Sequence, residues 1–163
     1  MKFISFNHDN SEKFGIIENN LITDLTGKID GALSLKELIK IKKIKEAKEY
    51  AKSNPGSIKP DQIEYSPLIP NPGKIICVGL NYSEHVKETN RTVEENPVIF
   101  HRFPESQTAH MQAIQRPTVS ESLDFEGEMA VIMGEGGKHI KPEDALKHIV
   151  GFSCYNESTI RAV

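Results

Sequence analysis

The run Asp124-Phe125-Glu126-Gly127-Glu128-Met129-Ala130-Val131-Ile132-Met133 sets two carboxylates one residue apart at the mouth of an apolar stretch. A short run of this kind predicts a β-strand. Side chains at i and i+2 of a strand point to the same face, about 7 Å apart, so Glu126 and Glu128 would project side by side. Holding two like charges together beside a core is costly. Burial and mutual repulsion each push a proton onto one of them unless a cation lies between them. The pattern therefore predicts a divalent metal site. The alternative is an exposed edge on which the two acids merely solubilise the strand; Ala130-Val131-Ile132-Met133, which reads as buried, argues against it.

On the C-terminal side, Gly134-Glu135-Gly136-Gly137 has neither the Walker spacing nor the dinucleotide-binding fingerprint and reads as a turn. Lys141-Pro142-Glu143-Asp144-Ala145-Leu146 has the form of a helix start, with Pro142 in the first turn and acids at the positive end, leading into a further strand that carries Glu157. On the N-terminal side, Lys74-Ile75-Ile76-Cys77-Val78-Gly79 is a buried-strand pattern. Leu80-Asn81-Tyr82-Ser83-Glu84-His85-Val86-Lys87-Glu88 follows it. His85 and Glu88 are three apart and share a face on a helical turn. A carboxylate beside an imidazole fixes its tautomer and stabilises the imidazolium, as a general base requires. Taken alone, the pair also fits an ordinary surface helix. His101, His139 and His148 each have an acid four residues away, a spacing common in so charged a chain; with His8 and His110 they read as surface or structural.

Pro70-Asn71-Pro72-Gly73 divides the chain into a small N-terminal α+β domain, residues 1–70, and a second domain, residues 71–163. In the first, Lys2 to Phe6, Phe14 to Ile17 and Leu21 to Leu25 are β-prone pieces separated by Asp9-Asn10 and Glu18-Asn19-Asn20, an antiparallel meander. Ser34-Leu35-Lys36-Glu37 has the form of a capping box, and Leu35, Leu38, Ile41, Ile44, Ala47 and Ala51 continue at helical spacing. One helix of roughly four to five turns is expected, stopped by Ser53-Asn54-Pro55-Gly56. No residue of this segment suggests chemistry, and it reads as a cap or oligomer-contact domain.

Of the 163 residues, 37% are hydrophobic and 26% charged, with a net charge of -3, which points to a globular chain and against a nucleic-acid partner. Polar residues interrupt the N-terminus before any signal-peptide core, and no stretch is long enough to span a bilayer. Cys77 and Cys154 sit in apolar segments and read as reduced core thiols, hence a cytoplasmic location.

Residues 68–161 resemble the N-terminal part of a fumarylacetoacetate hydrolase family member. The resemblance rests on Val78-Gly79-Leu80-Asn81-Tyr82 leading into His85 and Glu88, on Pro97-Val98-Ile99-Phe100, on Asp124-Phe125-Glu126-Gly127-Glu128, and on Gly151-Phe152-Ser153-Cys154-Tyr155-Asn156-Glu157 with Arg161. It implies a mixed β/α, mainly β fold with a twisted β-barrel or β-roll core, cut short by the end of the chain, and a homodimer. It implies Glu126, Glu128 and Glu157 as metal ligands and His85 with Glu88 as the base. Arg102, Tyr82 and Arg161 become substrate-binding candidates. Glu157 stands where the family usually has Asp, and Ala162 where an Asp usually follows the arginine. Three carboxylates make a hard, all-oxygen site, so Mg2+ is expected first, with Mn2+ and Ca2+ as alternatives. The implied activity is hydrolysis of a C–C bond in a small 2-oxo acid or 1,3-dicarbonyl compound. Isomerase or decarboxylase chemistry on the same metal, and a non-catalytic binding or oligomerisation module, are the alternatives.

Overall fold

The computed structural model describes residues 1–84 and 96–161. Strands β1 (Lys2–His8), β2 (Ser11–Glu18) and β3 (Leu21–Asp24) form the expected meander, and β4 (Glu64–Tyr65) joins it in the order β3-β2-β1-β4. Its two hairpin turns place Asp9, Asn10, Asn19 and Asn20 at positive φ, between 51° and 61°. Asn and Asp tolerate that conformation better than other residues with a Cβ, and it is the one that a tight hairpin turn demands.

The single helix expected after Ser34 is instead two: α1 (Leu35–Lys40) and α2 (Ile44–Ser53). Ser34 caps α1 by accepting the Glu37 amide at 3.2 Å, and the Glu37 carboxylate reaches back to the Leu33 amide at 2.8 Å. Lys42 takes φ 59° between the two helices. Ile39, Ile41 and Ile44 all pack against the core. Positions 39 and 41 would lie about 200° apart around one continuous helix, so burying both requires a break. The core comprises Phe14, Ile16, Leu25, Ile29, Ala32, Leu35, Leu38, Ala47 and Ala51, covered by Leu68 and Ile69 among others. It therefore lies wholly within residues 1–70.

Beyond Gly73 the described residues form three two-stranded antiparallel ladders. These are β5 (Ile75–Gly79) with β6 (Val98–Arg102), β7 (Leu123–Asp124) with β10 (Thr159–Ile160), and β8 (Gly127–Met133) with β9 (Ile149–Asn156). The expected helix at Pro142 is a 3-10 segment, Pro142–His148, that runs into β9. The twisted barrel or roll is not found. Closing a sheet needs an unbroken ladder around the ring, and among the described residues no ladder joins these pairs to one another. The mixed β/α architecture stands, as several small antiparallel sheets.

The expected burial of Ala130 to Met133 is also corrected. Exposure alternates along β8, with Met129 63%, Val131 42% and Met133 54% exposed, while Glu128, Ala130 and Ile132 are half-buried on the other face. Both cysteines are free, but Cys154 is exposed rather than in a core. The loop between β6 and β7 reaches back to the first sheet. His110 stacks edge-on against Tyr65 with ring centroids 5.0 Å apart, and Gln107 donates to the Ile69 carbonyl at 3.3 Å. No described helix is long and apolar enough to cross a membrane.

Candidate metal and substrate site

The strand ends near Glu126 carry the acidic and basic side chains that the sequence singled out. Strand β8 begins at Gly127, so Glu126 stands just before it and Glu128 just inside it. Gly127 pairs with Asn156 and Glu128 with Tyr155 across the β8–β9 ladder. The Glu157 amide donates to the Glu126 carbonyl at 2.8 Å, and the Glu126 amide donates to the Asn156 side-chain oxygen at 3.0 Å. These two bonds hold the backbone of Glu126 against that of Glu157, although the residues are far apart in sequence. The short β7–β10 ladder, pairing Asp124 with Thr159, continues the contact on the other side.

Strands β5 and β6 face this junction. Arg102 pairs with Ile75 and Phe100 with Cys77, so Arg102 and Cys77 share one face of the ladder. Burial pushes the Cys77 thiol pKa up, and the nearby Glu157 and Glu128 charges push it further, with Arg102 opposing them. Tyr155 is raised in the same way, by burial first. The ion pair of Arg102 with Glu157 links the β5–β6 ladder to the β8–β9 ladder.

Each carboxylate has a partner. Arg102 donates through Nε to Glu157 Oε1 in an ion pair, and its Nη2 donates to the Ser158 carbonyl at 3.0 Å. Arg161 donates to Asp124 at 2.8 Å and lies 3.2 Å from Glu126 Oε1. Its bond to Asp124 holds the guanidinium pKa above its usual value. The Tyr82 hydroxyl donates to Glu128 at 3.0 Å, and this bond to a carboxylate raises the phenol's pKa. His85 and Glu88 lie outside the described residues. Sequence reading assigned no role to Asp124, Asn156, Cys77 or Tyr155. Asp124 and Asn156 adjoin the candidate acids in sequence, and that adjacency was the available signal.

Among the described residues, no three His, Cys, Asp or Glu side chains converge closely enough to hold a metal ion. The donor chemistry nevertheless fits a hard cation, because every candidate ligand is a carboxylate oxygen. Four carboxylates, Asp124, Glu126, Glu128 and Glu157, meet two guanidinium groups, Arg102 and Arg161. Glu157 and Glu126 are only 12% and 23% exposed, so water screens their charge incompletely.

Residues 74–163 match the family model described as fumarylacetoacetate (FAA) hydrolase C-terminal. The chain is 39% identical over 100 residues to oxaloacetate tautomerase Fahd2a of Rattus norvegicus, covering 61% of this chain and 32% of that one. Identity is 37% over 115 residues to oxaloacetate tautomerase fahd2 of Xenopus laevis, covering 71% and 36%. The chain thus spans about a third of the length of these curated relatives. Among solved structures, fumarylacetoacetate hydrolase from Exiguobacterium antarcticum superposes with a TM-score of 0.80 at 30% identity, covering 99% of this chain and 57% of that one. Maleylpyruvate hydrolase from Sphingobium sp. SYK-6, in complex with manganese (II) ion and pyruvate, gives 0.80 at 20% identity, with 100% and 60% covered, a likeness of fold. Both tautomerases are named as mitochondrial, which overturns the cytoplasmic expectation. Two free thiols ask only for a reducing compartment and do not choose among such compartments. With its matched model covering more than half of its residues, the chain belongs to the fumarylacetoacetate hydrolase family.

Proposed function

We propose that this chain carries the metal-binding part of an enzyme that acts on small 2-oxo acids or 1,3-dicarbonyl compounds by cleaving a C–C bond. The observation that supports this most is the backbone pairing that sets Glu126 and Glu128 at the start of β8 beside Glu157 at the end of β9. The three carboxylates would hold Mg2+, or Mn2+ or Ca2+ in its place. Bound there, the ion supplies a Lewis acid for the negative charge that develops on the substrate's oxygens.

The chain's own groups supply the remaining functions. His85, oriented by Glu88, takes a proton from the water that attacks the carbonyl carbon. Arg102 and Arg161 carry the positive charge that orients a substrate carboxylate, as planar guanidinium groups do well. The Tyr82 hydroxyl, beside Glu128, offers a further donor to substrate oxygen. Residues 1–70 form a separate cap domain, residues 71–163 belong to the catalytic domain, and the working form is a homodimer.

A second reading is favoured by the relatives' names. Oxaloacetate tautomerases interconvert keto and enol forms, a proton transfer that needs the same oxygen polarisation without C–C cleavage. Incubating the chain with Mg2+ and either an acylpyruvate or oxaloacetate separates the two. Hydrolysis of the acylpyruvate, abolished in His85→Ala with Mg2+ affinity near wild type, supports the hydrolase. Oxaloacetate interconversion without cleavage supports the tautomerase. Loss of metal binding in His85→Ala would put that residue on the ion and remove its role as base.

A further inference from the structure

The hydrogen-bond donors at the strand junction differ in how far the protein has already used them. Arg102 is committed to Glu157 and the Ser158 carbonyl, Arg161 to Asp124 and Glu126, and the Tyr82 hydroxyl to Glu128. Tyr155 is different. It stands opposite Glu128 in the β8–β9 register, so the two side chains leave the same face of the ladder as cross-strand neighbours. That face is the half-buried one, whereas Cys154, next to Tyr155 in sequence, lies on the exposed face. Burial raises the Tyr155 pKa, and the charges of Arg102 and Glu157 act on the phenol as well. Among the described residues its hydroxyl has no hydrogen-bond partner in the protein. A phenol withdrawn from water ordinarily finds one, because a bond left unmade there is costly.

We propose that Tyr155 is a substrate-binding residue whose hydroxyl donates a hydrogen bond to an oxygen of the bound 2-oxo acid. The inference rests on the reading above that small 2-oxo acids bind at this junction, and it adds to that reading a residue on β9. Its contribution differs in kind from that of the arginines. A guanidinium attracts any small anion, whereas a neutral hydroxyl helps only a ligand that places an acceptor oxygen against it. Tyr155 therefore selects for an oxygen brought to the Glu128 end of the β8–β9 ladder, without adding charge to the site.

Calorimetric titration of pyruvate, with Mg2+ present, into the wild-type chain, Tyr155→Phe and Cys154→Ser tests this. Tyr155→Phe keeps the ring and removes only the hydroxyl, and it should weaken pyruvate binding about fivefold to tenfold, the worth of one hydrogen bond. Cys154→Ser, on the other face of the same strand, should bind as the wild type does. An unchanged affinity in Tyr155→Phe, or an equal loss in both variants, would overturn the assignment. No pyruvate binding by the wild type would instead overturn the reading of the junction as a 2-oxo acid site, and the proposal with it. A measurement on the wild type alone covers the case in which a variant fails to fold. With 13C at tyrosine Cζ, the Tyr155 resonance should move on saturation with pyruvate, and a resonance that stays put while pyruvate binds contradicts the proposal.

Discussion

Residues 1–70 and residues 71–161 handle apolar surface in opposite ways. In the first, Phe6, Leu25, Leu38 and Ala47 are 0% exposed and the side chains of a meander and two helices close over one another. In the second, Ile76 is 61%, Met129 63% and Phe152 59% exposed, and Ala109 is the one buried hydrophobic residue described. The ionic contacts divide differently. The acids and arginines that suggest chemistry lie in the second region, at strand ends tied by backbone bonds, while in the first region the half-buried pair of Lys13 with Asp24 braces a hairpin. The contrast teaches that stability and the candidate site are held by separate sets of residues. One set can be damaged without the other.

Truncating the core should give the largest effect. Leu38→Ala removes a fully buried side chain and should cost about 2–5 kcal/mol in chemical denaturation. Val131→Ala, on the exposed face of β8, should stay within about 0.5 kcal/mol. Similar costs at the two positions would break the comparison, because they would mean that the β8–β9 face is covered as well as the core.

A smaller effect concerns acid. Burial alone would raise the Asp24 pKa, but bonds from Lys13 and from the Thr26 amide together outweigh it and leave the carboxyl below its usual 3.8. A carboxyl depressed in the folded state adds stability that is fully present above its unfolded pKa and is lost as pH falls through the folded one. Asp24→Asn should therefore flatten the fall in stability below about pH 4 and lower stability at neutral pH. A variant whose acid limb matches wild type would show that Asp24 titrates alike in both states.

Much of the first region was legible in the sequence. Asp9-Asn10 and Asn19-Asn20 announced hairpin turns because their side chains tolerate positive φ, and Ser34 with Glu37 announced a helix start through its capping bonds. The break at Lys42 was not legible. No glycine or proline marks it, and it exists because Ile39 and Ile41 are both drawn onto the core, a tertiary demand that local periodicity does not carry. The candidate acids were legible through spacing and motif, but their partners were not. Arg102 and Glu157 are brought together by two ladders distant in sequence, and Tyr82 reaches Glu128 across 46 residues. A barrel was expected from the family resemblance. Registers are set strand by strand, and the pairs described here remain separate two-stranded ladders.

The most direct test of the central claim is a calorimetric titration of Mg2+ into the folded chain beside Glu126→Gln. The account predicts saturable binding by the wild type and its loss in the variant, with Leu38 and its neighbours still protected from hydrogen exchange in both. A wild-type chain that keeps that protected core yet binds no Mg2+, or a Glu126→Gln variant that binds it equally well, would contradict a metal site built on these strand ends.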